Sequence, residues 1–455
     1  MAILKNISPD GVALTPAAYE LEEITICNKD GKAVDVQYQV QEITITESIY
    51  SPTLICTVSL SDESDLIEVL PVYGMETIYL KIKRQMMSGG SQEFEHTFYV
   101  TDYPLYGRPS NREHMQAWSV TGVSKHVWKN PMLKLSRAYD GKISDQIVKI
   151  AKDAFELTVN YEGDCEAVGR GIINMQTPMK AMDWFRRRMH DPEEGAPYYL
   201  FQSIENGEDN CTLTSHTKLV KGSPHNSTPY TDSRTYTAEA GTPADFNQRK
   251  HKIIGISSSL KLSKFTPISQ GTWGSQTQHV DLATRTFGKE YYTYKDDFKI
   301  EKTLLGSDLF KEPKHNEHTG GGGGGSGSPT IKKNEEKPEE EFYACLNCLS
   351  RNSEAYEKDT QNYIEWTYEK LGLMRAYPGV FNTLHHTITL FGDLELNAGK
   401  IIDLQFPRAG DPMLTGGVVD EFLSGNYLVT SAIHRFKNQE YYTEVKVKRD
   451  SLEKA

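Results

Sequence analysis

Apolar and polar side chains alternate most regularly in residues 387–450, TITLFGDLELNAGKIIDLQFPRAGDPMLTGGVVDEFLSGNYLVTSAIHRFKNQEYYTEVKVKRD. Ile388 and Leu390 alternate with Thr387 and Thr389, and Val445 and Val447 lie between charged residues. Because successive side chains of a strand point to opposite faces, this order buries one face and exposes the other. The strands and the tight turns between them predict antiparallel sheet in a barrel or a sandwich.

The same alternation in the first part of the chain predicts another antiparallel sheet. Apolar residues occupy every second position at 36–40, 54–60 and 78–82. Segments rich in Gly, Ser and Asp separate these runs and are typical of turns. We therefore predict a first β-barrel over residues 1–128.

The period of the pattern changes to that of a helix after the first barrel. Ile143 and Ile147 recur at helical spacing, with Asp140 as a candidate N-cap. Thr177-Pro178 predicts the start of a second helix, since Thr caps helices and Pro suits the first helical position. We predict a mixed α/β insertion domain over residues 129–250.

Strand patterns return at 251–295, and we assign these residues together with 380–450 to a second β-barrel. The segment between them, 296–379, is an excursion from that barrel. It contains a Gly/Ser- and Lys/Glu-rich stretch, 312–341, that is typical of flexible linkers. It also contains an amphipathic pattern that predicts a helix over 351–372. The predicted fold class is α+β, mainly antiparallel β, with two β-barrels, an inserted mixed α/β domain and a helical excursion.

The closing strands contain short motifs whose order resembles a known family. The motifs are GDLEL at 392–396, GKII at 399–402, LSGNYLV at 423–429, HRF at 434–436 and RDS at 449–451. Their order is similar to that of the closing barrel of baseplate hub proteins from contractile-tailed bacteriophages of the T-even type. Related barrels occur in the spike proteins of type VI secretion. The order of the domains extends the resemblance over most of the chain, whereas the Gly-rich linker departs from the family core.

The resemblance implies a structural virion protein in the tail baseplate. In that family the two barrels of a subunit resemble each other and the tail-tube subunit, so three subunits place six barrels around a channel. The resemblance implies a homotrimeric hub that adapts the sixfold tail tube to the threefold spike. It also implies contacts with other baseplate proteins, passage of phage DNA through the channel, and assembly in the host cytoplasm.

The net charge, the cysteines and the apolar content of the chain limit the classes of function that it can have. The chain has 455 residues, a formal net charge of −12 and six scattered cysteines. The negative charge argues against a surface that binds nucleic acid throughout, and the cysteines fit a reducing compartment. No stretch is long and apolar enough for a predicted membrane span. We expect part of the excess negative charge to face the channel and to repel DNA phosphates.

Two pairs of metal-ligand residues form the sharpest local motif. His315 and His318 precede Cys345 and Cys348, and these residue types bind zinc. A long segment containing the glycine run separates the pairs, whereas the loops of zinc sites are usually shorter. The sequence therefore favours two ordinary cysteines at the start of a helix, with a zinc site and redox chemistry as the alternatives, and we expect no bound metal or cofactor.

Other polar clusters predict structural roles rather than catalysis. We considered His385-His386 as metal ligands, the run 186–188 with His190 as a phosphate site, and His434-Arg435 as part of an interface. The sequence lacks nucleophile-elbow, zinc-protease and phosphate-loop motifs. We therefore predict no catalytic residue and no enzyme. The alternatives are a tail-associated cell-wall hydrolase that uses residues 129–250, and a hub subunit of a type VI-like injection machine.

Overall fold

The computed structural model shows a mainly antiparallel β protein with a mixed α/β insertion. It describes residues 16–85, 91–107, 115–165, 167–192, 194–231, 249–260, 270–272, 274–281, 286–293, 344–351, 364–382, 384–408, 419–420 and 423–449. The structure confirms one part of the predicted fold class: the protein is α+β, and its strands are mainly antiparallel. Within these ranges, none of the helices combines the length and the apolar character that crossing a membrane requires.

The first seven strands form a continuous antiparallel arrangement in the order β3-β4-β7-β6-β5-β1-β2. They are β1 (Glu20–Cys27), β2 (Ala33–Asp35), β3 (Val40–Ser48), β4 (Ser51–Asp62), β5 (Thr77–Gln85), β6 (Ser91–Gly107) and β7 (Gln116–Val123), with helix α1 (Leu66–Val69) between β4 and β5. Alternate side chains, among them Ile43, Ile45, Leu80 and Phe98, enter one apolar core. The alternation in the sequence is therefore the alternation of burial along each strand.

Helices and short strands follow the first seven strands. They are α2 (Lys125–Lys129), β8 (Leu135–Lys142), α3 (Ile143–Phe155), β9 (Thr158–Glu162), β10 (Val168–Gln176), α4 (Pro178–Arg186), β11 (Tyr198–Phe201), β12 (Asn210–Ser215) and α5 (His216–Val220). β8 and β10 form a two-stranded ribbon, and β9, β11 and β12 form a small sheet. Ile147, Ile150, Met182 and Phe185 bury the inner faces of α3 and α4 in a common core. Both helices that the sequence predicted in this region are confirmed.

The remaining strands come from separate parts of the chain. They are β13 (Tyr230–Thr231), β14 (Gly255–Leu260), β15 (Gly274–Asp281), β16 (Thr286–Thr293), β17 (Ala344–Arg351), β18 (Leu384–Phe391), β19 (Ile401–Gln405), β20 (Gly425–Lys437) and β21 (Glu440–Arg449), with helix α6 (Ile364–Val380) before β18. A second apolar core contains Ile388, Tyr427 and Val445 from the last of these strands. β15, β16 and β17 form a sheet of their own.

One long sheet joins the early and the late strands. β20 pairs antiparallel with β3, from Ser431 opposite Ser48 to Lys437 opposite Glu42. Thirteen strands in the described part of the chain thus share one sheet, in the order β14-β18-β21-β20-β3-β4-β7-β6-β5-β1-β2, with β19 beside β20 and β13 beside β19. We call β1–β7 the first half of this sheet and β13, β14 and β18–β21 the second half. Because β2 and β14 end the path, the strand pairing does not confirm two closed barrels.

Isolated bridges outside the named strand pairs connect further parts of the long sheet. In the second half, Thr231 of β13 forms a bridge with Lys252, which directly precedes β14. Ala18, before β1, forms a bridge with Glu440 at the start of β21 and so connects the first half to the second. The second half therefore curves so that its two edges approach each other, as twisted sheets commonly do.

Helix α6 differs from the helix predicted over 351–372. Arg351 is the last residue of β17, α6 runs from Ile364 to Val380, and residues 352–363 lie outside the described ranges. The helix continues through Gly372 to Val380. A Cβ at residue 372 would lie 2.5 Å from the Cβ of Tyr292, so the glycine allows close packing there. Gly372 therefore serves close packing against the small sheet and does not end the helix. The predicted linker, 312–341, also lies outside the described residues.

Candidate functional site: the polar junction between the two sheet halves

Buried charged and polar side chains lie where the two sheet halves meet. We define the junction as Glu47, Arg84, Gln92, Asp393 and His434, each of which is at most 6% exposed. The first three come from β3, β5 and β6, whereas Asp393 follows β18 and His434 belongs to β20. Because polar groups lose hydration on burial, they require partners inside the protein. The partners found here join one half of the sheet to the other.

Asp393 is the acidic residue around which the other charged groups of the junction lie. Its Oδ1 accepts a hydrogen bond from Gln92 Nε2 at 3.0 Å and lies 3.6 Å from Arg84 Nη1. Its Oδ2 lies 3.4 Å from Lys250 Nζ and 3.7 Å from His225 Nε2. Arg84 Nη1 also donates to Gln92 Oε1 at 3.0 Å. Donors and cations from the first half, together with His225 and Lys250 from the segments on either side of β13, therefore surround one carboxylate.

These partners keep the Asp393 carboxyl ionised. Burial by itself would raise the pKa of this group, because the charged form loses its hydration. His225, Arg84, Lys250 and Gln92 together outweigh burial and hold the pKa of Asp393 well below its ordinary value. Because the folded-state pKa is depressed, the ion pairs stabilise the fold above about pH 4 and are lost as the pH falls below that value.

Glu47 connects three parts of the chain. Its Oε1 accepts a hydrogen bond from Ala398 N at 2.6 Å, and its Oε2 accepts one from Ile204 N at 2.8 Å. Its Oε1 also lies 3.8 Å from His434 Nε2, and His434 Nδ1 pairs with the Tyr441 hydroxyl at 2.6 Å. A single buried side chain of β3 thus holds the insertion and the second half of the sheet in place.

The backbone of Gly392 packs directly against the ring of Tyr441. A Cβ at residue 392 would lie 2.0 Å from Tyr441 Cδ1, which is far inside van der Waals contact. Tyr441 is fully buried and stacks on Phe436 with ring centroids 4.2 Å apart, so the ring has little room to move. The glycine that opens the GDLEL motif is therefore required by packing.

We expect Gly392→Ala to lower the free energy of unfolding by about 3 kcal/mol, because the added methyl group overpacks the core. The midpoint of urea unfolding, followed by tryptophan fluorescence, measures this loss. Gly107→Ala is the matched control, because a Cβ there meets nothing within 4 Å. Equal midpoints for the two variants would contradict the packing role of Gly392.

A metal ion does not fit the junction well. His225, Asp393 and Glu395 offer one ligand atom each within 4.8 Å of one another. Lys250 and Arg84 already neutralise Asp393, however, and both would repel an added cation. The arrangement therefore supports a structural role, in which buried ion pairs fix the two sheet halves relative to each other.

The structure does not bring the four predicted zinc candidates together in its described part. Cys345 and Cys348 lie in β17, where Cys345 pairs with Gln276 of β15. The predicted placement of the two cysteines at the start of a helix is therefore wrong, because pairing with β15 holds this segment as a strand. His315 and His318 lie outside the described residues, so the expectation that these four residues bind no metal stays a prediction.

Two of the other polar residues singled out in the sequence, His386 and Arg186, have partners within the chain. His386 Nδ1 lies 2.8 Å from Ser258 Oγ, and its Nε2 lies 3.2 Å from the Tyr427 hydroxyl. Arg186 Nη2 forms an ion pair with Asp183 Oδ1 at 2.6 Å. These contacts are typical of side chains with a structural role.

Sequence reasoning missed three members of the junction, namely Glu47, Arg84 and Gln92. Each of them occupies an inward position of its strand. Glu47, for example, follows Ile43 and Ile45 at every second position. A charged residue at a core position is the signal that identifies such a site, since charged groups are rarely buried without partners.

Comparison with known proteins finds similarity in structure but not in sequence. No family model and no curated protein matches the chain. The tail protein from Neisseria meningitidis MC58 matches with a TM-score of 0.51 and 10% identity, covering 96% of this chain and 98% of that one. The 43 kDa tail protein of prophage MuSo2 from Shewanella oneidensis matches with a TM-score of 0.49 and 11% identity, covering 95% and 100%. A component of the type VI secretion system from E. coli matches with a TM-score of 0.38 and 8% identity, covering 91% and 74%.

The structural neighbours are therefore phage tail proteins and type VI secretion proteins. At such low sequence identities, the similarity between this chain and its structural neighbours concerns the fold alone. This chain shares the fold of the Neisseria meningitidis tail protein over nearly the whole length of both chains.

Proposed function

We propose that this protein is a structural component of a contractile-tail baseplate and forms its central hub. The fold shared with the tail protein from Neisseria meningitidis, over 96% of this chain and 98% of that one, carries the proposal. A fold by itself does not determine function. The order of motifs in residues 392–451, which resembles that of baseplate hubs, adds independent support.

In this proposal each half of the long sheet is a tube-like barrel. The bridge between Thr231 and Lys252 supports closure of the second half, because it brings β13 beside the segment that enters β14. The bridge between Ala18 and Glu440 supports closure of the first half through the β20–β21 hairpin. The β20–β21 hairpin would then belong to both barrels. Its tip, at Glu440, would complete the first barrel, and its base would complete the second.

The proposed domains follow from this arrangement. The first barrel occupies 1–128 and the mixed insertion domain occupies 129–250. The second barrel consists of 251–295 and 380–450, and it is interrupted by the excursion at 296–379. The junction fixes the angle between the two barrels, because its ion pairs and hydrogen bonds join β3, β5 and β6 to the second half.

Three copies of such a subunit would present six similar barrels around an axis. A ring of this kind offers near-sixfold contacts to the tail tube and true threefold contacts to the spike. The proposed partners are therefore two further copies of the chain, the tail-tube protein, the spike protein and other baseplate proteins. The proposed location is the tail baseplate of the virion, and the proposed role is non-enzymatic.

Phage DNA would pass through the centre of this ring. The net charge of −12 supports a channel wall that is acidic in part and therefore repels phosphates. A ring whose channel surface proved basic would contradict this part of the proposal.

We expect the purified protein to form a trimer of about 154 kDa, which is three copies of the 51.4 kDa chain. Analytical ultracentrifugation over a wide range of concentrations, with and without tail-tube and spike proteins, measures the mass. A chain that stays monomeric alone and with both partners would contradict the proposed hub. Release of fragments from purified murein would instead favour a hydrolase.

A further inference from the structure

Helix α6 packs against one side of the mixed α/β insertion. We define the clasp as residues 373–381, which comprise the C-terminal part of α6 and the residue that follows it. Leu373 lies against the loop before β11, because a Cβ at Gly195 would lie 2.7 Å from Leu373 Cδ2. The Tyr377 hydroxyl donates a hydrogen bond to Glu194 O at 3.3 Å. The clasp thus joins the excursion to a part of the chain 183 residues earlier.

His216 of the insertion lies directly under the clasp. Its ring contacts the ring of Tyr377, with centroids 5.2 Å apart, and the ring of Phe381, with centroids 4.3 Å apart. Its Nδ1 pairs with the Tyr199 hydroxyl of β11 at 3.3 Å. Arg375, which carries the formal charge of the clasp, is exposed to solvent. The clasp therefore presents aromatic surface to the imidazole.

Burial outweighs the charges near His216. The Glu194 carboxylate raises the pKa of His216, but that carboxylate also accepts a hydrogen bond from Thr217 Oγ1 at 2.8 Å and lies 3.3 Å from Lys221 Nζ. Lys218, on the same helix as His216, is exposed. Because burial disfavours the charged ring, the pKa of His216 falls to about 3.

His190 lies in the loop that receives Leu373. It is 0% exposed and forms a bridge with Pro197. The backbone oxygen of Asp191, 3.4 Å from His190 Nδ1, raises the pKa of the ring, whereas Lys370 of α6 lowers it. Burial is the largest effect and brings the pKa of His190 to about 4. Two buried neutral histidines therefore share the contact between α6 and the insertion.

Protonation of these rings and docking of the clasp oppose each other. With the clasp docked, both rings stay neutral until the pH falls to about 4. With the clasp detached, rings in contact with water bind protons below about pH 6.5. Because the docked form binds fewer protons, each histidine shifts the equilibrium towards detachment about tenfold per pH unit between these limits.

We propose that the clasp is a pH-sensitive contact, which detaches from the insertion in weak acid while the long sheet stays folded. The apolar part of the contact is small, because Ala196 shares its cluster with Tyr292 and four clasp residues, namely Leu373, Ala376, Tyr377 and Val380. The core of the first half, in contrast, draws on side chains of β1 and of β3–β7. The movement takes place within one chain, so it does not depend on assembly into a hub.

A thiol introduced by Ala196→Cys measures detachment. Ala196 is 0% exposed and lies against the clasp, so the thiol reacts with a labelling reagent only after the clasp moves away. The labelling rate is divided by that of the urea-unfolded chain at the same pH, and peptide mapping by mass spectrometry assigns the label. We expect this relative rate to rise about 100-fold between pH 7.5 and 5.5, because two histidines contribute.

The natural Cys56 thiol is the internal reference. Cys56 is 0% exposed in β4, so it reacts only when the first half opens. We expect it to react more slowly than the introduced thiol at every pH in this range, because detachment of the clasp requires less of the structure to open than unfolding does.

Variants that each lack one histidine identify the groups that titrate. His216→Phe and His190→Leu, each combined with Ala196→Cys, are expected to reduce the rise from about 100-fold to about tenfold. His96→Phe is the matched control, because it removes a buried neutral histidine of the first half, and the rise is expected to stay at about 100-fold. The measured quantity is a dependence on pH, so a loss of packing in a variant does not imitate it.

Three outcomes would overturn the inference. Equal relative rates for the introduced thiol and Cys56 at every pH would show that the clasp opens only when the whole fold does. A relative rate that stays constant with pH would exclude the histidines as its cause. A rise that His96→Phe reduces as much as His216→Phe does would assign it to general unfolding. The proposed trimer is measured separately by sedimentation and stands or falls independently of these results.

Discussion

Asp393→Ala is expected to lower the free energy of unfolding by about 3–5 kcal/mol, one of the two largest effects that the structure predicts. The substitution leaves the guanidinium of Arg84 buried at 2% exposure without its carboxylate, and an uncompensated buried charge is costly. It also removes the acceptor of Gln92 Nε2. Urea unfolding at pH 7.5, followed by circular dichroism and fluorescence, measures the loss.

Two further variants establish the cause of this effect. Asp30→Ala, at an exposed aspartate, is expected to change the stability by less than about 0.5 kcal/mol. The double change Arg84→Met with Asp393→Leu is expected to recover most of the loss, because apolar pairs can replace a buried ion pair. A loss below about 1 kcal/mol for Asp393→Ala would contradict the assignment of the junction as the connection between the sheet halves.

Acidification from pH 7.5 to pH 5.5 is expected to destabilise the protein by an amount on the order of 5 kcal/mol. Burial lowers the pKa of five histidines, namely His96, His126, His190, His216 and His386. It lowers the pKa to about 3 for His96 and His216 and to about 4 for His190 and His386. Stability begins to fall at the pH at which the histidines of the unfolded chain become protonated.

The direction of this pH effect follows from the difference in proton binding between the folded and the unfolded chain. Below about pH 6.5 the histidines of the unfolded chain bind protons, whereas the buried neutral histidines of the folded chain do not. Each group therefore lowers stability by about 1.4 kcal/mol per pH unit, until the pH reaches its folded-state pKa. The Asp393 ion pairs are unaffected in this range, since they weaken only below about pH 4.

His96→Phe tests this account at one position. His96 is 1% exposed and lies between Phe94 and Phe98, and its ring nitrogens have no hydrogen-bond partner among the residues that the structure describes. We expect the variant to keep its stability at pH 7.5 within about 1 kcal/mol and to lose about one-fifth of the pH dependence. Urea midpoints measured from pH 5 to pH 8 provide the comparison. A stability that stays constant between pH 7.5 and 5.5 would contradict the neutral state of the buried histidines.

The strands were largely predictable from the sequence because their alternation is local. Ile388 and Leu390 alternate with threonines in the sequence, and in β18 these buried residues alternate with half-buried side chains. The start of α4 was also predictable, since Thr177 occupies the N-cap position and Pro178 the first helical position. Period and capping are properties of neighbouring residues, so no partner in space is needed to recognise them.

Features that depend on distant partners were not predictable. Asp140 was expected to cap α3, but it lies in β8 because pairing with Arg170 of β10 extends that strand to Lys142. Gly372 was expected to end a helix, but α6 continues to Val380 and the glycine packs against Tyr292. Both outcomes are set by contacts between segments that are far apart in the chain.

The junction is the clearest case of contacts between distant segments that the sequence does not predict. Glu47 is recognisable as an unusual charge at a core position, yet its partner Ala398 is separated from it by most of the chain. The pairing of β3 with β20 is equally remote in sequence. Alternation predicts that each strand has an inner face, but it does not predict which strand lies beside it.

Cryo-electron microscopy of the particle assembled with its tail-tube and spike proteins tests the central claim most directly. The account predicts projections down the axis that show three chains, with six similar barrels around a hollow centre. Projections with a solid centre, or with early and late sheets that cannot be placed side by side around the axis, would contradict it.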